Sequence, residues 1–432
     1  MKAAAGRLRL GGGMTRWFGA VASLVVVAGL GSAACSGGPD VEAAVVQVPG
    51  AVPSQQIAPA PALLVAQAWF ATEDGRPTPQ PAKLTIFRQS GETFSTEELL
   101  DPESNVFHKA MAWNDGILTI GATGAKLKHW TRVDGTWTAE TLWAPSWGGQ
   151  FDRLRDIEIG DVDGDGEDEL LIATHDQGVV AVGDKVDGAW TFAEYNQTPD
   201  IFVHEIEVGD VDGDGRMEFY ATPSARNRAD MTSQPGGVVR YDMIDGRAVR
   251  SDVVQWEESH AKEIVVADLG QGDQLFAVRE GHSVERGGRT TLVDPVQIFR
   301  LDRAEDGTWT PVKVAEIDDH QMRFLVPGDI DGDGVIEFVG AGFKSGLWKL
   351  EPNEDGTFST SVIDRGSSGY EHATHIADLD GNGTVEIYVA ADDQKSLRRY
   401  EWDGSTFNRT TIGTIGSDSE RHLSWNIQDG VL

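Results

Sequence analysis

The stretch DVDGDGEDEL, residues 161–170, places three aspartates at alternate positions with two glycines among them. Related stretches DVDGDGRMEF, DIDGDGVIEF and DLDGNGTVEI begin at Asp210, Asp329 and Asp378. Neighbouring carboxylates repel one another, and glycine weakens regular strands and helices. Four copies in one register therefore indicate a common partner for the acids rather than four solvated acidic turns.

The common partner that closely spaced carboxylates favour is a hard cation, since calcium takes six to eight oxygen ligands. An EF-hand needs an acid at loop position 12, and that position holds Ile172, Ala221, Gly340 and Val389. Every copy instead has glutamate at position 9, namely Glu169, Glu218, Glu337 and Glu386. The flanking runs LRDIEI and LLIAT are typical of strands. The pattern predicts nine-residue metal loops that join strands: the first (161–169), second (210–218), third (329–337) and fourth (378–386) loops.

The loops belong to a longer internal repeat. A decayed copy, ADLGQGDQLFAV, keeps Asp268 and Asp273, and successive first aspartates are then 49 to 61 residues apart. Each unit contains a strand, the loop, a second strand, a longer loop, a third strand, a DG turn such as 306–310, and a fourth strand. Seven such four-stranded units fill residues 61–432, which predicts an all-β, seven-bladed β-propeller.

The two ends of this region indicate how the ring closes. PALLVAQAWF, residues 61–70, resembles the second strand of a unit, whereas RHLSWNIQDGVL, residues 421–432, resembles a first strand. We therefore expect the C-terminal strand to complete the first blade. This closure leaves few exposed strand edges.

DxDGDGxxE loops between strands, repeated around a propeller, resemble the FG-GAP/VCBS repeat family, whose relatives include the heads of integrin α-subunits. The resemblance implies about four structural Ca²⁺ ions, bound by side chains at positions 1, 3, 5 and 9 and by the carbonyl at position 7. The implied ligands are Asp161, Asp163, Asp165, Glu167 and Glu169; Asp210, Asp212, Asp214, Arg216 and Glu218; Asp329, Asp331, Asp333, Val335 and Glu337; and Asp378, Asp380, Asn382, Thr384 and Glu386. Position 9 is glutamate here, where relatives often have aspartate.

The N-terminus is typical of an exported protein. Residues 1–34 combine four basic residues and no acid with an apolar run at 17–30 and small residues at 31–34. Cys35, the only cysteine, follows directly, and this arrangement resembles a bacterial lipoprotein signal. The resemblance implies lipidation at Cys35 and a place on the outer membrane or cell surface, although ordinary signal cleavage stays open. Residues 35–60 are predicted to form a flexible tether.

The formal net charge of −33 restricts the partners. Nucleic acid and anionic lipid surfaces repel so acidic a protein. We therefore expect no nucleic-acid partner and membrane attachment only through an N-terminal lipid. We also expect a monomer.

A set of basic or histidine residues recurs six positions before each loop start, counted from Asn114 and Gln428 in the two units without acidic loops. This basic set is His108, Arg155, His204, Lys262, Arg323, His372 and His422. Two interpretations remain open: the side chains hydrogen-bond neighbouring blades, or they form a ligand-binding ring at the mouth of the central channel.

Three functions remain open from the sequence. The first is a binding or adhesion module for an extracellular polysaccharide or protein, favoured by long basic loops around Arg226 and 279–289 on the face opposite the metal loops. The second is a polysaccharide lyase or sugar dehydratase that uses His372 or His204 with Arg155 or Arg323. The third is a purely structural envelope protein. No GxSxG, HExxH or nucleotide-binding loop is present.

Overall fold

The computed structural model describes residues 60–91, 93–149, 152–226, 232 and 234–432. The predicted signal peptide, Cys35 and nearly all of the predicted tether lie outside this described part. Within it, no helix has the length and apolar character needed to cross a bilayer.

Seven antiparallel sheets of four strands are arranged as the blades of a propeller, as the repeat predicts. In chain order the strands are β1 Pro61–Glu73, β2 Arg76–Pro79, β3 Ala82–Ser90, β4 Thr93–Asp101, β5 Val106–Trp113, β6 Gly116–Ala122, β7 Lys126–Val133, β8 Thr136–Trp143, β9 Arg153–Gly160, β10 Glu169–His175, β11 Val180–Val186, β12 Ala189–Tyr195, β13 Ile201–Gly209, β14 Glu218–Ala225, β15 Gly236–Ile244, β16 Arg247–Trp256, β17 Ala261–Asp268, β18 Asp273–Arg279, β19 His282–Arg286, β20 Arg289–Asp294, β21 Val296–Arg303, β22 Trp309–Ile317, β23 Met322–Gly328, β24 Glu337–Gly342, β25 Leu347–Pro352, β26 Phe358–Asp364, β27 Thr374–Ala377, β28 Glu386–Ala391, β29 Ser396–Trp402, β30 Phe407–Thr414 and β31 Glu420–Val431. One 3-10 turn covers Asp392–Gln394.

Blade 1 is β31-β1-β3-β4, blade 2 is β5 to β8, blade 3 is β9 to β12, and blade 4 is β13 to β16. Blade 5 is β17-β18-β21-β22, blade 6 is β23 to β26, and blade 7 is β27 to β30. Two pieces lie outside the four-strand pattern. Strand β2 extends the edge of β1, and β19 pairs with β20 in a hairpin. The sequence had suggested a plain long loop where that hairpin forms.

The ring is closed by the C-terminal strand, which confirms the prediction from the chain ends. Strand β31 pairs antiparallel with β1 from Pro61↔Val431 to Ala71↔Glu420. Backbone hydrogen bonds of 3.1 and 3.2 Å also join Ala60 and Leu432. Both ends of the propeller are therefore fixed in one sheet.

Burial explains why each strand has its own composition. Second strands such as β10 (ELLIATH) and β24 (EFVGAG) are buried along their whole length because neighbouring blades cover both faces. Fourth strands such as β8 (TWTAETLW) lie at the rim and are largely exposed. Apolar side chains pack between blades; for example, the rings of Phe276 and Phe338 are 4.9 Å apart.

Strand order also separates the two faces of the disc. Connections from first to second strands, which include the four acidic loops, lie on one face together with the third-to-fourth turns. Connections from second to third strands and between blades lie on the opposite face. The β19–β20 hairpin and the turn at 392–394 belong to that second face.

Candidate metal loops and channel site

The first aspartate of each acidic loop organises the backbone around itself. The Asp161 carboxylate accepts the N–H groups of Gly164 at 2.8 Å and Gly166 at 3.0 Å. These glycines have φ of +81° and +93°, which a side chain at Cβ would disfavour. The bond from position 6 recurs in the other loops, from Gly215, Gly334 and Gly383.

The position-9 glutamate presents one carboxylate oxygen to the protein and keeps the other for a ligand. Glu169 Oε2 accepts the backbone N–H of Val162 at 2.9 Å, whereas Oε1 is buried without a hydrogen-bond partner. The position-2 N–H caps the glutamate of each other loop at 3.0 to 3.4 Å. A buried carboxylate oxygen without a donor is a strong place for a cation.

Carboxylate oxygens converge to within 4.8 Å of one another in all four loops. The groups are Asp161, Asp163 and Glu169; Asp210, Asp212 and Glu218; Asp329, Asp331 and Asp333; Asp331, Glu337 and Glu351; and Asp378, Asp380 and Glu386. The residues present therefore fit a hard cation bound by oxygen.

In two of the four loops the position-5 aspartate lies outside the convergent carboxylates, which differs from the expectation. Asp165 and Asp214 stand outside the convergent groups and accept the N–H of position 7, from Glu167 at 2.8 Å and Arg216 at 2.9 Å. The same bond runs from Val335 to Asp333 and from Thr384 to Asn382. In the three aspartates this bond uses only one carboxylate oxygen, so the second oxygen stays available to an ion, whereas Asn382 has a single side-chain oxygen.

Electrostatic strain accumulates where the loop carboxylates meet. Burial, with a smaller contribution from Asp163, raises the pKa of Glu169 to about 7. Burial also raises the pKa of Glu218 to about 7 and raises the pKa of Glu337 and Glu386. A divalent cation among these oxygens would hold them ionised and remove the repulsion.

The basic set falls mainly on β-bulges of the innermost strands. The pairing register shifts at His108, Arg155, His204, Lys262 and Arg323 in blades 2 to 6. His372 lies just before β27 with φ of +59°. The alignment fails for His422, because β31 continues as one strand through Gln428 to Val431. The bulged residue of β31 is Trp425, three positions later.

Members of the basic set make hydrogen-bond contacts with neighbouring blades. His108 Nδ1 lies 2.6 Å from the carbonyl of Leu154, and His204 Nε2 lies 2.9 Å from Lys262 Nζ. Both nitrogens of His372 are engaged, by Ser367 Oγ at 2.7 Å and the Gly342 carbonyl at 2.8 Å. These contacts favour the interpretation in which the basic set joins neighbouring blades.

Burial controls the charge of these residues. Burial lowers the pKa of His204 far below its usual range, and the nearby charge of Lys262 lowers it further. Burial also lowers the pKa of Lys262 to about 7. Arg323 keeps its charge: although burial opposes ionisation, its pKa is raised by Glu371, whose oxygens lie 2.6 and 2.7 Å from Nη1. The set thus contains neutral histidines and a fixed arginine–glutamate pair.

The central channel carries acids that sequence reasoning missed. A cavity of about 150 Å³ is lined on one side by Asp156, Glu158, Glu205, Glu207 and Glu263. Lys109 Nζ lies 3.0 Å from Asp156 and also pairs with Glu158. The signal was present in RDIEIGD and HEIEVGD, where acids alternate along predicted inner strands, and in KEIVVAD, where Glu263 directly follows the basic position. Burial raises the pKa of Glu205, Glu207 and Glu263.

A second cleft, of about 290 Å³, opens on the face opposite the acidic loops, between blades 7 and 1. Its lining includes Tyr370, Asp392, Lys395, Asp418 and Glu420, which come from three separate connections. The Asp392 carboxylate accepts Ser424 N at 2.8 Å and Ser424 Oγ at 2.9 Å, and burial raises the pKa of Asp392 to about 7. Lys395 Nζ lies 2.5 Å from Asp418 Oδ1.

A family model described as FG-GAP-like repeat matches residues 161–221 and 329–389, each beginning at the first aspartate of an acidic loop. The chain therefore contains FG-GAP-like repeats. Blades 1, 2 and 5 lie outside these matches but have the same four-stranded plan. A search of curated protein sequences gave no match.

Solved structures share the architecture at low identity. A Lactobacillus plantarum protein is 12% identical with a TM-score of 0.52, covering 84% of this chain and 99% of that one. A candidate 6-phosphogluconolactonase from Bacteroides uniformis is 14% identical, with a TM-score of 0.52 and coverages of 86% and 99%. Cobalt-substituted apocarotenoid oxygenase from Synechocystis is 10% identical, with a TM-score of 0.51 and coverages of 86% and 92%. At these identities the likeness concerns the fold alone.

Proposed function

We propose that this FG-GAP-like propeller is an exported, calcium-stabilised binding module for an extracellular polysaccharide or protein surface. The observation that carries the proposal is that the two faces of the propeller carry different kinds of site. One face holds four loops of convergent carboxylates, and the other holds a polar cleft built from interblade connections and from the connection between the second and third strands of blade 7.

Calcium is the ion that the loops suit best. The donors are carboxylate oxygens on glycine-containing loops, and calcium accepts such flexible, oxygen-rich coordination more readily than magnesium does. About four ions would then stabilise the blades by neutralising clustered acids. We assign these ions a structural role, because no residue of the four loops lines either of the two cavities described above.

Export and anchoring fit this chemistry. A lipidated Cys35 and the tether at 35–60 would hold the propeller at the outer membrane or cell surface as a monomer. Extracellular calcium-binding modules work with dissociation constants near 10⁻⁴ to 10⁻³ M, which external calcium can satisfy. The acidic surface supports attachment through the lipid only and no nucleic-acid partner.

The cleft between blades 7 and 1 supports a hydroxyl-rich ligand. Carboxylates, an ammonium group and a tyrosine surround it, and such groups hydrogen-bond sugar hydroxyls or polar protein side chains. The lyase alternative depended on His372 or His204 as a base. Both histidines are buried, and His372 has both nitrogens engaged within the protein. His372 therefore has no free nitrogen, and His204, whose Nδ1 has no hydrogen-bond partner, is 1% exposed and out of reach of a substrate, which favours binding over turnover.

Glycan-array binding in calcium, followed by an absorbance assay for unsaturated uronate, tests the proposal. We expect binding without turnover, and we expect Lys395→Ala together with Asp418→Ala to reduce it. Lys313→Ala is the matched control, because Lys313 and Glu316 form an exposed pair away from the cleft. Turnover would favour an enzyme, and a folded protein that binds neither glycans nor envelope proteins would favour the structural role.

A further inference from the structure

Each acidic loop faces one particular position on the third strand of its own blade. The position pairs with the residue two after the conserved glutamate, as in Tyr220↔Arg240 and Val339↔Lys349. Blade 7 has Arg399 there, but blade 3 has Val182, which pairs with Leu171. The four loops therefore differ in whether a built-in cation lies opposite them.

In the third loop the built-in cation is the ammonium group of Lys349, which lies among the predicted calcium ligands. Lys349 Nζ is 2.5 Å from Asp331 Oδ2, 3.2 Å from Glu337 Oε1 and 2.5 Å from Glu351 Oε2. The ammonium group thus occupies the charge-compensating position of a metal ion. Glu351 completes the group of oxygens that converge there.

The second loop has a similar arrangement with arginine. Arg240 Nη2 lies 2.7 Å from Asp212 Oδ2, and Arg240 Nη1 lies 3.4 Å from Glu218 Oε1. Arg303, from blade 5, adds a second guanidinium 3.3 Å from Asp212. Two positive charges from the protein therefore compensate this loop.

In the described part of the chain the first loop has no cationic partner. None of the ion pairs among the described residues reaches a carboxylate of 161–169. Asp184, two residues after Val182, instead lies close enough to add repulsion at Asp163. Among the described residues no cationic side chain pairs with Asp161, Asp163 or Glu169, so the compensation of their charge depends on a bound cation.

We propose that the first three loops fall into two classes: the first loop binds calcium tightly, whereas Arg240 and Lys349 compete with calcium in the second and third loops. This inference rests on the proposed calcium binding. A bound ion in the third loop must displace the Lys349 ammonium group or tolerate its repulsion, so calcium binds there more weakly. Without calcium, the same lysine keeps the third loop compensated, whereas the first loop loses its only cation.

Calcium titration of the full chain tests this, with native mass spectrometry to count the ions and calorimetry to measure affinity. Lys349→Met keeps the apolar stem and removes the charge, so one weak site should tighten on the order of tenfold. Asp163→Ala should abolish the tightest site. Arg300→Met is the matched control, because Arg300 has the same register position in blade 5, opposite a decayed loop, and pairs with Asp302.

The outcomes separate this inference from the proposed function. Calcium binding by the wild type with an isotherm unchanged by Lys349→Met would overturn the two classes and leave calcium binding intact. Loss of a weak site, rather than the tightest one, in Asp163→Ala would overturn them too. A wild-type chain that binds no calcium would overturn both proposals. If Lys349→Met folds poorly, Lys349→Gln replaces it, with the same tightening expected.

Discussion

Replacing Glu371 with alanine should destabilise the propeller more than any exposed charge removal. Glu371 is 1% exposed and accepts two contacts of 2.6 and 2.7 Å from Arg323 of blade 6. Arg155 of blade 3 lies 3.8 Å away. Truncation leaves the buried Arg323 without its carboxylate, and breaking such a pair costs about 3–5 kcal/mol of the free energy of unfolding.

Two companion variants make the magnitude interpretable. Glu316→Ala removes an exposed partner of Lys313 at the same kind of distance, 3.0 Å, and should cost about 0–1 kcal/mol. Arg323→Met combined with Glu371→Leu removes both charges together. That double variant should recover most of the loss, because no unpaired buried charge remains.

Urea unfolding in excess calcium, followed by the fluorescence of the 13 tryptophans, measures the differences. Circular dichroism before unfolding checks that each variant keeps its sheets. The reasoning is refuted if Glu371→Ala shifts stability no more than Glu316→Ala. It is also refuted if the double variant loses as much stability as Glu371→Ala alone.

Further predictions concern calcium, pH and the N-terminus. Chelation should lower the melting temperature, since an ion at 100 times its dissociation constant stabilises the fold by about 2.7 kcal/mol; an unchanged melting curve in EDTA would contradict structural calcium. His372 should make an acid-sensitive contribution to stability between pH 6.5 and 4, opposite in sign to the contributions of Glu169, Glu218 and Asp392, whose pKa values burial raises to about 7. Burial lowers the pKa of His372 to about 4. In that pH window the unfolded chain therefore binds a proton at this histidine and the folded chain does not, which lowers the free energy of unfolding by about 3 kcal/mol. His372→Asn, whose side chain tolerates the φ of +59°, should flatten the stability–pH curve there, and an unaltered slope would oppose this account. Intact-mass analysis of the protein from its native host should show a lipid on Cys35 that Cys35→Ser abolishes; a mature chain that starts beyond Cys35 would argue against anchoring.

The sequence alone was enough for the fold and for the positions of the acidic loops between strands. Both depend on local information: the spacing of acids and glycines in 161–169 and its copies, and the alternation of apolar residues in each flanking strand. Ring closure also followed, because Pro61 and the C-terminal run supply the second and first strands of one blade. A repeat of this kind shows its architecture through its period.

Tertiary structure decided everything that depends on register between strands. Lys349 lies twelve residues after Glu337, and only the pairing of β24 with β25 brings its ammonium group to that carboxylate. The same holds for Trp425, which takes in β31 the bulge where blades 2 to 6 have a member of the basic set, because no loop interrupts β31. Burial decided the charge states of His204 and His372, since ionisation depends on the surrounding dielectric and on neighbours from other blades. Local spacing therefore determined where the ligands lie along the chain, and packing across blades determined which charges face them.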